Sequence, residues 1–332
     1  MSRTPWAMRH FLVAALAISA AGASAQQSAA PAAPDAVVRR VDRTRLMADL
    51  RALADPGMEG RGTGTPGARR ARIYIEHALE QAGVKPLGAQ YEKPFSFVHR
   101  TLKGLLSPGS ASETAYPDAA NIAGLVSARD GSRRWIVVSA HYDHLGIRDG
   151  IVYPGADDNA SGVAAMLALA RIVSAAPMRH PVVFVAFDAE ELGLEGAKQF
   201  VKDEHLTRAR VAIDVNLDMV SRNDRREIFA TGTAPEPWLR PILDEVQRRS
   251  AVTILFGHDR SITRRGLGED WTQQSDQGAF VDAGIEYLYF GVEDHADYHK
   301  PTDTADKVNA AFFGDVADMI ADALITLDER IE

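Results

Sequence analysis

The chain has 332 residues, 46% of them hydrophobic and 25% charged, with no cysteine. That composition supports a large buried core in one or two domains and excludes a disordered chain or a disulfide scaffold. Lys and Arg number 37 against 45 Asp and Glu, a net charge of −8, so neither nucleic acid nor an anionic membrane is expected as a partner.

At the N-terminus, Arg3 and Arg9 precede the apolar run 11–20 and the small-x-small triplet Ala23-Ser24-Ala25. This pattern predicts a signal peptide over 1–25, because the apolar run is too short to span a bilayer. Export to the periplasm or the exterior is the expectation. Residues 26–40, rich in Ala, Pro and Ser at their start, read as a flexible leader into a single catalytic domain, 41–332.

Helices are predicted over 45–54 and 68–82. The glycine-rich stretch between them, 57–67, lacks the Gly-Lys-Ser/Thr ending and the preceding strand of a phosphate-binding loop, so it reads as structural. Strands follow at 89–98 and 120–126, with a polar connection around 107–118. The apolar run 135–140 suits a doubly buried strand. Next come a helix at 161–174, with Asn159 or Ser161 able to cap it, a strand at 182–187, a helix at 194–202, and strands at 211–217 and 227–230. A helix at 237–249, strands at 252–256 and 287–290, and a terminal helix from about 305 complete the chain. This alternation predicts an α/β fold, a three-layer α/β/α sandwich with a central, mostly parallel mixed sheet.

Ligands of such sheets bind beyond the carboxyl ends of the strands. Five metal-competent side chains fall there or in the following loops: His141, Asp158, Glu191, Asp218 and His299. Two histidines and three acids suit a pair of divalent ions that share a bridging carboxylate. Asp143 lies two residues after His141 in a segment read as extended, so both project to one side; Asp143 can orient that imidazole or its surroundings and is counted with Glu190 and Tyr298 among the candidate catalytic residues. Asp157 and Asp158 adjoin on one turn, where acids repel unless a cation compensates; Asp158 is the preferred bridge and Asp157 can serve as a cap. Of the adjacent pair Glu190 and Glu191, one can bind metal while the other takes and returns a proton. Tyr298 is a candidate oxyanion donor. His144, His258 and His295 read as loop residues without assigned chemistry.

The segments SAHYDHLG, PGADDNASGVAAML, FDAEELGLEGAKQF, NLDMV, QSDQGAF and DYHKPTDTADKVN resemble, in order, those of the co-catalytic two-zinc exopeptidases. That family includes secreted bacterial aminopeptidases, glutamate carboxypeptidases and, more distantly, glutaminyl cyclases. The resemblance implies one zinc on His141 and Asp218, a second on Glu191 and His299, Asp158 between them, Glu190 as general base and acid, and Tyr298 as oxyanion stabiliser. The implied substrates are peptides with a free N-terminus. The alternatives are a single-zinc cyclase acting on N-terminal glutamine and a non-catalytic, zinc-stabilised binding domain. Gln277 departs from the His or Asn that often follows Ser-Asp in the family, which leaves its part in the substrate pocket open.

Overall fold

The computed structural model describes residues 36–102, 111–203, 210–259 and 269–332. The expected signal peptide lies outside the described residues. In chain order the helices are α1 (Arg43–Leu53), α2 (Pro66–Gln81), α3 (Gly162–Ala175), α4 (Glu195–Val201), α5 (Leu239–Arg249), α6 (Gln277–Asp282) and α7 (Ala310–Arg330). The strands are β1 (Lys85–Pro86), β2 (Glu92–Leu102), β3 (Ala111–Val126), β4 (Trp135–His141), β5 (Ile147–Arg148), β6 (Ile151–Val152), β7 (Val182–Phe187), β8 (Val211–Leu217), β9 (Glu227–Thr231), β10 (Thr253–Phe256) and β11 (Tyr287–Gly291).

Local chemistry sets several of these boundaries. Asp42 accepts from the Arg45 amide to start α1, Thr65 with Pro66 at the first helical position starts α2, and Asn309 accepts from the Phe312 amide to start α7. Asn159 accepts from the Gly162 amide at 2.8 Å and so supplies the cap of α3. The polar connection expected around 107–118 is instead, from residue 111, the outer half of the long strand β3, paired antiparallel with β2. Its exposure to water lets the polar residues Ser112, Glu113 and Thr114 occupy a strand.

One mixed sheet of nine strands runs β1-β3-β7-β4-β8-β11-β9-β10, with β2 on β3. Strands β7, β4, β8 and β11 are mutually parallel, and antiparallel pairings flank them on both sides. Side chains alternate between two cores, as a doubly covered sheet requires. Ile136, Val138, Phe184 and Ala186 pack with α1, α2, α3, α5 and α7, whereas Val137, Val183, Val185 and Phe187 pack with α4 and α6. This is the expected three-layer sandwich. Because the four central strands point the same way, their carboxyl ends form one edge, and the loops that leave it are brought together.

The stretch expected as a flexible leader is tied down at its end. The Val38 amide donates to the Arg249 carbonyl, and the Arg40 and Val41 amides donate to the Asp318 carboxylate. A row of acids spaced one turn apart along α7, Asp315, Asp318 and Asp322, recruits Arg39, Arg43, Arg226 and Arg249 to the same face. Among the described residues no helix is long and apolar enough to cross a membrane.

Candidate metal centre

His141 is the last residue of β4, Glu190 and Glu191 follow β7, Asp218 follows β8, and His299 lies in the loop after β11. The turn Ala156–Ser161 brings Asp158 among them. Asp158 faces both ways: its Oδ1 is 3.4 Å from His141 Nε2, while its Oδ2 is 3.1 Å from His299 Nε2. His141 Nε2 also lies 3.3 Å from Asp218 Oδ1, and His299 Nε2 lies 3.3 Å from Glu191 Oε2. All five side chains predicted as ligands therefore meet at one place. Glu190 joins the His141 side, where its carboxylate, that of Asp218 and the imidazole offer atoms within 4.8 Å of one another.

Three further elements hold this arrangement. Asp303 accepts from the Asp157 and Asp158 amides at 2.9 and 3.1 Å and fixes the acidic turn. Asn159 donates to the Leu217 carbonyl and accepts from the Met219 amide, so the turn carrying Asp158 is locked to the strand end carrying Asp218. The wholly buried Arg61 donates to the backbone carbonyls of Leu53, Tyr142, Pro154 and Gly155 at 2.6–2.8 Å. Burial lowers its pKa to about 10, against the pull of Asp158 and Asp143, so it remains a cation beneath the acids at neutral pH. The glycine-rich stretch thus contributes its arginine, and Gly60 gives it room: a Cβ there would meet the Tyr153 carbonyl at 2.3 Å. Arg61, Ala189, Met219 and His299 all adopt positive φ, a costly conformation for non-glycine residues that concentrates at sites where geometry is imposed.

Of the two placements expected for Asp143, on the His141 ring or on its surroundings, the structure has the second. The His141 Nδ1–H donates to the backbone carbonyl of Asp143 at 3.2 Å, so Nε2 is the ring nitrogen that faces Asp158 and Asp218. The Asp143 carboxylate, 3.8 Å from that Nδ1, instead accepts from the Glu190 and Glu191 amides at 3.0 and 3.3 Å. β4 ends at His141, so the two side chains no longer share one side of an extended segment. Asp143 thus holds the backbone of the glutamate pair. Asp157 points away, taking hydrogen bonds from Ser221 and lying 3.2 Å from His295 Nε2. Gln277 is buried between Asn216 and the Trp271 carbonyl, at the back of a small cavity of about 50 Å³ that Met219, Trp271, Tyr289 and Tyr298 also line beside Asp218.

The site's field favours positive charge. Burial alone would depress His141 and His299, yet Asp218 and Glu190 raise the first well above its usual range, and Asp158 and Glu191 raise the second to about 10. Burial, reinforced by Asp276, Asp218 and Glu191, raises Glu190 well above the carboxylate range despite His141. Burial likewise raises Asp276, which has both oxygens unpartnered, to about 7, with His141 opposing and Asp218 adding. Crowded acids of this kind are relieved by cations, and neutral imidazole with carboxylate is a zinc donor set. Buried atoms without a hydrogen-bond partner, Asp158 Oδ2 and Glu191 Oε1 among them, face the same space. These residues fit zinc.

Sequence reasoning missed His144, which is fully buried with Nδ1 2.8 Å from Glu191 Oε1. The signal was present in His141-Tyr142-Asp143-His144, a second imidazole in the loop that leaves the first. It missed Arg61 and Asp303 because their partners lie far away along the chain.

Imidazoles and acids converging at the carboxyl edge of a parallel sheet core form a candidate metal centre. The model of peptidase family M28 matches residues 121–324, and the chain belongs to that family. Aminopeptidase YwaD of Bacillus subtilis is 30% identical over 203 residues, covering 57% of this chain and 40% of YwaD. A probable zinc metalloprotease of Pyrenophora teres f. teres is 25% identical over 301 residues, covering 84% of this chain and 61% of that protein. The chain thus spans less than two thirds of either relative. Among solved structures, the glutaminyl cyclase of Fimbriiglobus ruber has a TM-score of 0.67 at 22% identity, covering 90% of this chain and 99% of its own, a likeness of fold.

Proposed function

We propose that the protein is an aminopeptidase that holds two zinc ions, one on His141 and Asp218 and the other on Glu191 and His299, with Asp158 bridging. The observation that carries this reading is the division of Asp158, whose Oδ1 faces His141 while its Oδ2 faces His299. The name of YwaD, an aminopeptidase, supports the choice of the N-terminal bond. When bound, zinc supplies Lewis-acid chemistry that polarises a carbonyl and makes water nucleophilic near neutral pH.

The chain's own residues supply the proton handling. Glu190 stands beside His141 and Asp218 without being required as a donor, where its carboxylate can accept a proton and return it. It takes the proton of the attacking water and delivers it to the departing amine. Burial, together with Asp158 and Asp218, raises the Tyr298 phenol far above its ordinary value, so it stays protonated and can donate to the oxyanion that develops on the substrate carbonyl. Asp143 keeps Glu190 and Glu191 in register by holding both amides.

Replacing Glu190 with Gln tests the assignment. The variant should bind zinc as the parent does but hydrolyse aminoacyl-nitroanilides roughly 10²–10⁴-fold more slowly in kcat. Unchanged turnover rules Glu190 out as the base, and formation of pyroglutamate from glutaminyl peptides without amine release from other peptides would point to a cyclase.

A further inference from the structure

We propose that His144 is a third imidazole donor to metal, bound through Nδ1 at the position formed by Glu191, His299 and Asp158 Oδ2. This rests on the two-zinc reading above and adds a ligand to it. His144 Nδ1 lies 2.8 Å from Glu191 Oε1 and 3.6 Å from Asp158 Oδ2. Although the first separation is short enough for a hydrogen bond, the angles are wrong, and neither His144 Nδ1 nor Glu191 Oε1 has a hydrogen-bond partner. With Asp158 they form a group whose possible ligand atoms all lie within 4.8 Å of one another.

His299 stands in the same relation to the same two acids, with Nε2 at 3.1 Å from Asp158 Oδ2 and 3.3 Å from Glu191 Oε2. Donors placed about 2.0–2.1 Å from a tetrahedral zinc are themselves separated by about 3.3 Å. The set of separations, 2.8–3.6 Å, brackets that value. The His144 ring is also held in place. Gly155, at φ +55°, closes over it so tightly that a Cβ would meet the ring carbons at 2.5 Å. The His299 ring meets it edge-on at a centroid distance of 5.8 Å.

The consequence is an unequal pair. The position with Asp158, Glu191, His144 and His299 has four protein donors, the closed set typical of a tightly held structural zinc. The other position, with Asp158, His141 and Asp218, has three, which leaves a place for water or substrate beside Glu190. The first ion is then the tight one and the second the exchangeable one.

The test uses the full protein stripped by chelator and reloaded with a spin-half cadmium isotope, with its histidine ring nitrogens isotopically labelled. Cadmium–nitrogen scalar coupling should appear at three histidines, through Nε2 of His141 and His299 and through Nδ1 of His144. His144→Ala, or His144→Gln if the first folds poorly, should remove only the Nδ1 coupling and weaken one of the two metal equivalents at least about tenfold. Coupling at His141 and His299 alone, with His144 uncoupled, overturns the proposal while leaving the two-metal reading intact. Absence of coupling at all three overturns both.

Discussion

Tyr298 and Asp143 show how a residue's chemistry is set by what surrounds it. The phenol stacks on His299 with ring centroids 3.9 Å apart, so its position follows that of a proposed ligand. Tyr298→Phe keeps the stack and removes the donor; kcat should fall roughly 10²–10³-fold, the effect of losing one oxyanion donor, with zinc content unchanged. Equal kcat in the variant would take Tyr298 out of the reaction. Asp143 was legible in the sequence as a partner of the site, but the two amides it holds were not. The alternation rule that set it beside His141 holds only while the strand continues, and the strand stops one residue too soon. His144 is the converse case, a residue whose side chain becomes meaningful only when the chain turns back toward β7.

At the scale of elements, β4, β7 and β8 were readable to within a residue because both faces of those strands are buried and their sequences are largely apolar, interrupted only by Ser139, Asp214 and Asn216. The outer half of β3 and the short helix α6 were not, since one is solvated and the other has too few residues to show a period. The acidic face of α7 was also unreadable as a clamp, its arginines coming from the N-terminal segment, the start of β9 and the end of α5. Burial alone would raise Asp315, but hydrogen bonds from Arg43, Arg39 and Arg226 hold its pKa below the usual value. A carboxylate depressed in the folded state stabilises the fold above its unfolded pKa of about 3.9, and that contribution fades as pH falls through the folded value. Asp315→Asn should therefore melt at a lower temperature than the parent at pH 7, and the gap should narrow below about pH 4. A gap that is constant across that range would show that the Asp315 charge contributes nothing.

For the molecule as a whole, the parallel core fixes where chemistry can occur, because four strand ends open on one edge and every proposed ligand but Asp158 follows one of them. That much follows from alternating strands and helices, and the five side chains proposed as ligands were legible in the sequence as metal-competent residues. What could not be read was the supporting frame, Arg61, Asp303 and Asn159, since each joins segments remote in sequence, and no local pattern records such pairings. The central claim is a dinuclear aminopeptidase centre. The most direct measurement is to add zinc stepwise to chelator-stripped protein while following release of nitroaniline from an aminoacyl-nitroanilide and the matching N-acetylated compound. Activity should rise until about two equivalents are bound, and only toward the free amine. Full activity at one equivalent, or equal cleavage of the blocked substrate, would contradict it.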